Sequence, residues 1–573
     1  MISKKTLEQN SVLSDALSKN HPQVAQSAGG LVARVANAIT SNLTFDPPPR
    51  GQRVYIVTEW VITISLVMYA MFAPHSIAIT QGSYLIGLVA WGVQLAATRK
   101  LGLKRTAVDV ALFGFFACCV VSSFLSYDPL VSVKGLKSPA FFLAFYFVSN
   151  KVRSVRFAAF LVLTMIVSCL VNVGYSGMKL ARGRGLQIDS VKPESPFANE
   201  AIAVGDVIIE ADDQPINSRE DLVRIIDSHR GRLRIKLQRK EAVTETSIPR
   251  NALREASGTG FERLGITTSP GRNFRVMGFY SHYETYAEVL ALIAAVAVGM
   301  LIAVPNKTSR TAWFLGAAIA LLGLTLILTS TRAPLAGLAV SVAVMALASR
   351  SRRVVLASIA AIVIVLPLAV LAIERSRGIS VLDPEEGSTA YRLEVWREAL
   401  GMIKDNPLLG IGKGSEAKLK QSLGLYEGGK LPPGHFHSTP VQVAVWWGLL
   451  ALIFYYSFMT IFAVKLWRLI TKVKPHTRWQ LRGIALSGLG TVTAFNVSSL
   501  VHFNFGDGEV VMAFWLLTGL AFAARRLSLE APGRTTLESI SASPSGGSSD
   551  KNQLRQQAEA SASTVRAARA KQN

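Results

Sequence analysis

"LPPGHFHSTPVQVAVWWGLL", residues 431–450, sets two histidines, His435 and His437, behind a Pro-Pro-Gly corner and just ahead of a long apolar run. That run continues to about residue 464, long enough for a helix to cross the hydrocarbon of a bilayer, which takes about 17–25 residues. The same signal recurs in both directions. About twelve apolar blocks are legible, near 54–73, 83–98, 107–126, 134–150, 156–176, 277–304, 311–330, 334–349, 354–373, 439–464, 482–501 and 508–524. With 50% hydrophobic residues in a chain of 573, the expected fold is mostly α. It is a polytopic membrane protein of about twelve transmembrane helices with one small α+β insert.

Orientation follows the Lys and Arg residues. The short odd-numbered gaps between blocks hold almost none. Even-numbered gaps are basic: Arg99, Lys100, Lys104 and Arg105, then Lys151, Arg153 and Arg156, then Lys307 and Arg310, then Arg350, Arg352 and Arg353, and finally a patch from Lys465 to Arg482. These gaps are expected to be cytoplasmic, which puts both termini inside. The net charge of +24 is then topology and attraction to anionic lipid heads. It is scattered along the chain, so no nucleic-acid partner is expected. Cys118, Cys119 and Cys169 all fall in apolar blocks and read as small packing residues. No cleavable signal peptide is apparent in the polar first 50 residues.

Between the fifth and sixth blocks the composition changes. Alternating runs such as "LQIDSV", "DVIIEA" and "LRIKLQR" predict short strands, and "SREDLVRIIDSH" predicts one Ser-capped amphipathic helix. "GLQI", then "V-x-P-x-S-P", "VGDVII", "I-N-S-x-x-D-L" and "L-x-I-K-L-Q-R" follow in the order of a bacterial PDZ domain, which the stretch 183–250 resembles. Glu200-Ala201 stands where that pattern has Ala-Gly. The resemblance implies a peptide that adds as a strand, with Gly185, Leu186, Gln187 and Ile188 lining its site. A scaffold without a ligand is the alternative.

Four stretches in the second half belong together: "RVMGFYSHYETYAEVLAL" (275–292), "TSTRAPLAG" (329–337), "YRLEVWREALGMIKDNPLLGIGKG" (391–414) and the opening one. In this order they resemble the O-antigen ligase and polymerase superfamily. The elements are S-x-R-A before a span, Y-R-x-x-x-W-x-x-A leading to P-L-L-G-I-G, and a His eleven residues before the Gly of "WWGLLALI". His437 has that spacing to Gly448, with Gln442 five residues on; His435 does not. Ser438 and Trp446-Trp447 depart from the pattern, which has Asn after the His and an acidic residue before the later Gly.

The resemblance implies a metal-independent, inverting glycosyltransferase needing no cofactor. It would move a glycan from undecaprenyl pyrophosphate onto another glycan, lipid A core or a protein hydroxyl at the periplasmic face of a bacterial inner membrane. His437 would be the catalytic residue, either as the general base that takes the acceptor's proton or as a donor to the leaving phosphate. Arg332 and Arg392, with Arg275, would hold the donor pyrophosphate, and His282 would support them. Arginine suits that task because its charge persists and its donors match phosphate. The two histidines have no Cys, Asp or Glu nearby in sequence and no HExxH occurs, so no metal site is expected. The chain divides into a cytoplasmic segment 1–53, helices over 54–176, a periplasmic PDZ-like insert 177–274, helices over 275–373, a large periplasmic loop 374–438, helices over 439–526 and a disordered cytoplasmic tail 527–573. Glu59, Asp109, Glu284 and Glu288 lie in or near spans, where carboxylates are costly. A transporter with a binding insert is the alternative; it predicts two similar halves, and no such repeat is visible.

Overall fold

In hydrocarbon only a helix or a closed barrel satisfies every backbone group from within, so the apolar blocks fold as helices. The computed structural model describes residues 22–43, 51–99, 103–198, 202–228, 231–239, 242–254, 259–272, 274–377, 387–416, 418–419, 435–473 and 478–541. A short helix, α1 (Pro22–Thr40), precedes α2 (Gln52–Phe72), α3 (Ile77–Thr98) and α4 (Asp109–Phe124). The fourth block is broken into α5 (Pro129–Gly135), a 3-10 turn at Pro139–Phe142 and α6 (Leu143–Lys151); α7 (Val155–Arg182) follows and leads into the insert.

The insert is a six-stranded antiparallel sheet with two helices. In chain order it has β1 (Leu186–Val191), β2 (Val207–Ala211), β3 (Gln214–Pro215), α8 (Arg219–Ser228), β4 (Arg232–Arg239), β5 (Ala242–Pro249), α9 (Arg250–Arg254) and β6 (Ile266–Pro270). It has its own core, in which Ile188, Ile208, Leu222, Ile226, Ile235 and Leu237 are all buried.

The remaining helices are α10 (Tyr283–Ala303), α11 (Arg310–Leu328), α12 (Arg332–Ser349), α13 (Arg352–Arg377), α14 (Gly387–Asp405), α15 (Thr439–Lys472), α16 (Trp479–Ser499) and α17 (Gly508–Ser541). Among the described residues nine helical stretches are long and apolar enough to cross a membrane; α3, α4 and α16 account for the other three blocks. Those three are shorter or more polar because they bury side chains against protein, where partners exist. Gln94 of α3 donates to Glu59 (2.6 Å), and Arg482 of α16 donates to the carbonyl of Ser349 (2.7 Å). Glu59 is further paired with Arg153 (2.7 Å) and Lys151 (3.2 Å), and Asp109 accepts from the Tyr146 hydroxyl (2.7 Å). Both carboxylates are thus structural. The apolar parts of α10 and α17 are 83% buried, so a site at their shared end is walled by protein. α17 continues as helix to Ser541, past residue 526, where a disordered tail was the expectation; the tail beyond Ser541 and the segment before Pro22 lie outside the described residues.

The sheet order corrects one expectation. It runs β5-β4-β2-β1-β6, with β3 paired to β2. β1 is interior: Leu186 faces Ile208 of β2 on one side and Pro270 of β6 on the other, and Gln187 and Ile188 face Ser269 and Thr268. Gly185, Leu186, Gln187 and Ile188 therefore offer no open edge for an added strand. Among the described residues, the unpaired sheet edge beside α8 belongs to β6. Arg219 at the start of α8 donates to the Thr268 carbonyl and, at 3.0 Å, to its hydroxyl, so the Thr268 main chain faces outward. The two ends of the insert leave together, since Arg184 N–H donates to the Gly271 carbonyl (2.7 Å) and Gly271 N–H to that of Gly185 (3.2 Å).

Two glycine motifs prove to be one joint. Gly448 interrupts α15 with φ 82° and ψ 172°, a conformation open to glycine almost alone. The break frees the carbonyls of Val445 and Trp446, which accept from Ile411 (2.8 Å) and Gly412 (2.9 Å), while Leu449 N–H donates to the Pro407 carbonyl (2.8 Å). "NPLLGIG" and "WWG" are thereby laced together. A Cβ at Gly448 would collide with the Leu408 carbonyl. Gly448→Ala is expected to destabilise the bundle by about 3 kcal/mol or more, measured as a lowered thermal midpoint in detergent.

Candidate active site

The N-termini of α10, α12, α15 and α17 and the C-termini of α11 and α16 gather at one end of the bundle, the end from which the insert emerges. Between them lies a cavity of about 460 Å³, walled by Arg275, Glu284, Arg332, Arg392, Trp396 and His502 among others. Three arginines expected from three separate motifs meet there.

Each is delivered by a local device. The turn between α11 and α12 is wound by side chains: the Thr329 hydroxyl donates to the Leu326 carbonyl (2.6 Å) and lies 2.7 Å from that of Thr331, while Ser330 takes a left-handed φ of 54°. Arg332 thereby becomes the first residue of α12, at the positive end of its helix dipole. Arg392 and Trp396 stand one turn apart on α14, both on the cavity wall. Trp396 Nε1 donates to the Phe436 carbonyl (2.6 Å) and so fixes the histidine segment to that helix. Arg275 lies over the Tyr283 ring at 4.3 Å, and the next residue, Val276, donates its N–H to the end of α11 at Leu328 (3.2 Å).

His437 sits just before α15 in a left-handed conformation, φ 48°, which a non-glycine residue seldom adopts without a constraint. The constraints are near. Phe436 N–H donates to Gln442 Oε1 (2.9 Å), and His437 N–H donates to His435 Nδ1 (3.2 Å). His437 Nδ1 is buried with no hydrogen-bond partner among the described residues. Burial, and then the Arg392 guanidinium, hold its imidazole below the usual histidine range, while Glu284 pulls the other way. The ring is therefore neutral and able to accept a proton near pH 7. Burial and the neighbouring His437 push His435 lower still, to about 4. His282 stays at the rim: its Nδ1 accepts from Glu284 N–H (3.3 Å) at the start of α10, and its ring stacks on Tyr283 at 4.5 Å.

His502 escaped the sequence analysis. It lies in the loop between α16 and α17, with Nε2 3.1 Å from Glu284 and Nδ1 3.2 Å from Glu288. Burial alone would depress its pKa, but the hydrogen bonds to Glu284 and Glu288 outweigh that and raise it to about 10. It is an imidazolium. The signal was there to use: two carboxylates one helical turn apart in an apolar block require a cation.

Residues 317–456 match the O-antigen ligase family and residues 170–249 match the PDZ domain. No curated protein matches the chain at a significant level. The two matches agree with the resemblance read from the motifs. They support an O-antigen-ligase-like, glycosyltransferase-type multi-pass membrane protein that carries a PDZ unit. The ligase match spans Arg332, Arg392 and His437; the PDZ match ends before β6.

Proposed function

We propose that this protein transfers a glycan from undecaprenyl pyrophosphate to an acceptor hydroxyl at the periplasmic face of a bacterial inner membrane, with both termini cytoplasmic. The observation that carries this reading is the meeting of Arg275, Arg332 and Arg392 in one cavity at a membrane end, with the neutral His437 beside Arg392. Counting charged side chains on its wall, the three arginines and His502 stand against Glu284 and Glu288, which leaves two positive charges. A diphosphate diester carries about two negative ones, so the balance suits it. The acceptor oxygen attacks the anomeric carbon from the face opposite the diphosphate. As that bond forms, the bond from carbon to the diphosphate oxygen breaks and its electron pair leaves on undecaprenyl diphosphate. The hydroxyl proton passes to His437, and the arginines take up the charge that grows on the leaving group. No metal has a task in this scheme.

The full-length protein in proteoliposomes, given a lipid-linked oligosaccharide and lipid A core, a second lipid-linked unit or a protein acceptor, tests the proposal. Acceptor-dependent release of undecaprenyl diphosphate, undiminished by a chelator, is expected with one of the three; no release with any would refute it.

For the insert, we propose that an extended peptide adds at the free edge of β6, between that strand and α8. Thr268→Pro removes an outward N–H from that edge. It is expected to weaken an extended peptide selected on the wild-type protein by about tenfold, the worth of one good hydrogen bond. Unchanged affinity, read by fluorescence anisotropy, would locate the ligand elsewhere.

A further inference from the structure

We propose that Glu284 is the counter-charge for His437 when that ring carries the acceptor's proton, and that His502 is the positioning residue that keeps Glu284 in place. The inference rests on the transfer reading above. His502 has a carboxylate at each ring nitrogen, Glu284 at 3.1 Å and Glu288 at 3.2 Å. A ring with an acceptor at both nitrogens must donate from both, so it is held as a cation that neither gives nor takes protons. The two carboxylates are not equivalent. Both line the cavity, but Glu288 is 1% exposed and also accepts from the Ser498 hydroxyl, whereas Glu284 is 26% exposed. Glu288 therefore anchors the ring from behind, and the ring fixes Glu284 in front.

The same loop is tied to the segment bearing His437. Thr439, two residues after His437, donates both its N–H (3.2 Å) and its hydroxyl (3.3 Å) to the His502 carbonyl, and the His435 ring lies between, 4.1 Å from the His437 ring and 6.4 Å from that of His502. Among the described residues, the titratable groups that face His437 are Arg392, His502, His282, His435, Tyr391 at 5.7 Å between rings, and Glu284. Tyr391 is neutral near pH 7, and the others apart from Glu284 are cationic or can become so and oppose a proton on His437. Among the described residues Glu284 alone favours it, and its carboxylate supplies the stabilisation that a newly formed imidazolium needs during transfer.

Full-length Glu284→Gln, Glu284→Asp and His502→Gln proteins in proteoliposomes are to be assayed from pH 5 to 9 for kcat, donor KM and thermal midpoint. Glu284→Gln is expected to lower kcat by about 10²-fold with donor KM unchanged or reduced, since a negative charge has left the wall. The acid limb of its pH profile should move to lower pH, because the group that favours protonated His437 is gone. Glu284→Asp should fall between the two in both rate and limb, and His502→Gln should lower kcat without a matching rise in donor KM. A Glu284→Gln protein with wild-type kcat, or one slowed with its acid limb unmoved, overturns the proposal. Should that variant fail to fold, Glu284→Asp decides: wild-type rate and limb overturn it. If His437→Ala still transfers glycan, the base assignment above falls instead; if His437→Ala is inactive while Glu284→Gln is normal, only the present inference falls.

Discussion

His437→Ala is expected to slow glycan transfer by about 10²–10⁴-fold, the range a positioned general base supplies, while donor binding stays within about threefold, since the arginines are untouched. The expectation follows from position and charge together. The ring is half-buried, with Nδ1 enclosed and unpartnered among the described residues, held in a left-handed backbone conformation by Gln442 and His435, and kept neutral by burial and Arg392. A neutral imidazole is a base; a protonated one is not. Because its folded pKa lies below the ordinary value of about 6.5, the wild-type rate should persist through pH 6.5 and decline only as pH falls through the lowered value. A profile whose acid limb lies above pH 6.5 would be the wrong sign. His435→Ala should matter less: it lacks the family spacing, and its role in the fold is to accept the His437 N–H. Single-turnover transfer from a radiolabelled lipid-linked donor separates the two, and equal losses for both variants would contradict the assignment.

Arg332→Lys and Arg392→Lys are expected to fail almost as completely as the alanine variants, each losing about 10²–10³-fold in kcat/KM. Lysine keeps the charge but presents a point donor in place of a planar fork, and at a diphosphate the fork is what holds two oxygens at once. Arg332 gains further from its place as first residue of α12. Arg275 is engaged with the face of Tyr283, so Arg275→Ala should raise donor KM more than it lowers kcat. Binding of a fluorescent undecaprenyl diphosphate to each variant checks the division. If the double variant Arg332→Ala, Arg392→Ala binds the lipid and transfers glycan as the wild type does, the cavity has another purpose.

Much of the candidate site was legible as separate motifs. S-T-R-A, Y-R-L-E-V-W and the histidine eleven residues before Gly448 each announced one residue, and these residues meet in or beside one cavity. The spacing also had structural content: Gly448 is needed where "PLLGIG" crosses α15, and Gln442 is needed to brace Phe436. His502 carried no motif. It stands in "SSLVHFNFG" like any loop histidine, and its meaning comes from Glu284 and Glu288, more than two hundred residues earlier. The insert misled in the same way. "GLQI" reads as an edge strand with a preceding loop, but strand β6, some eighty residues on, pairs with it and takes the edge.

From sequence alone, then, the chain declared its membrane helices, the existence and class of its insert, and the side chains suited to a diphosphate. Those are local properties: hydropathy over one helix length, periodicity over a few turns, a side chain's intrinsic charge. Tertiary structure decided which strand edge is free, which carboxylates are structural and which face the cavity, and that His437 is neutral while His502 is charged. Such properties are set by neighbours distant in the chain, because an open edge, a buried charge and a proton affinity are all differences between having a partner and lacking one.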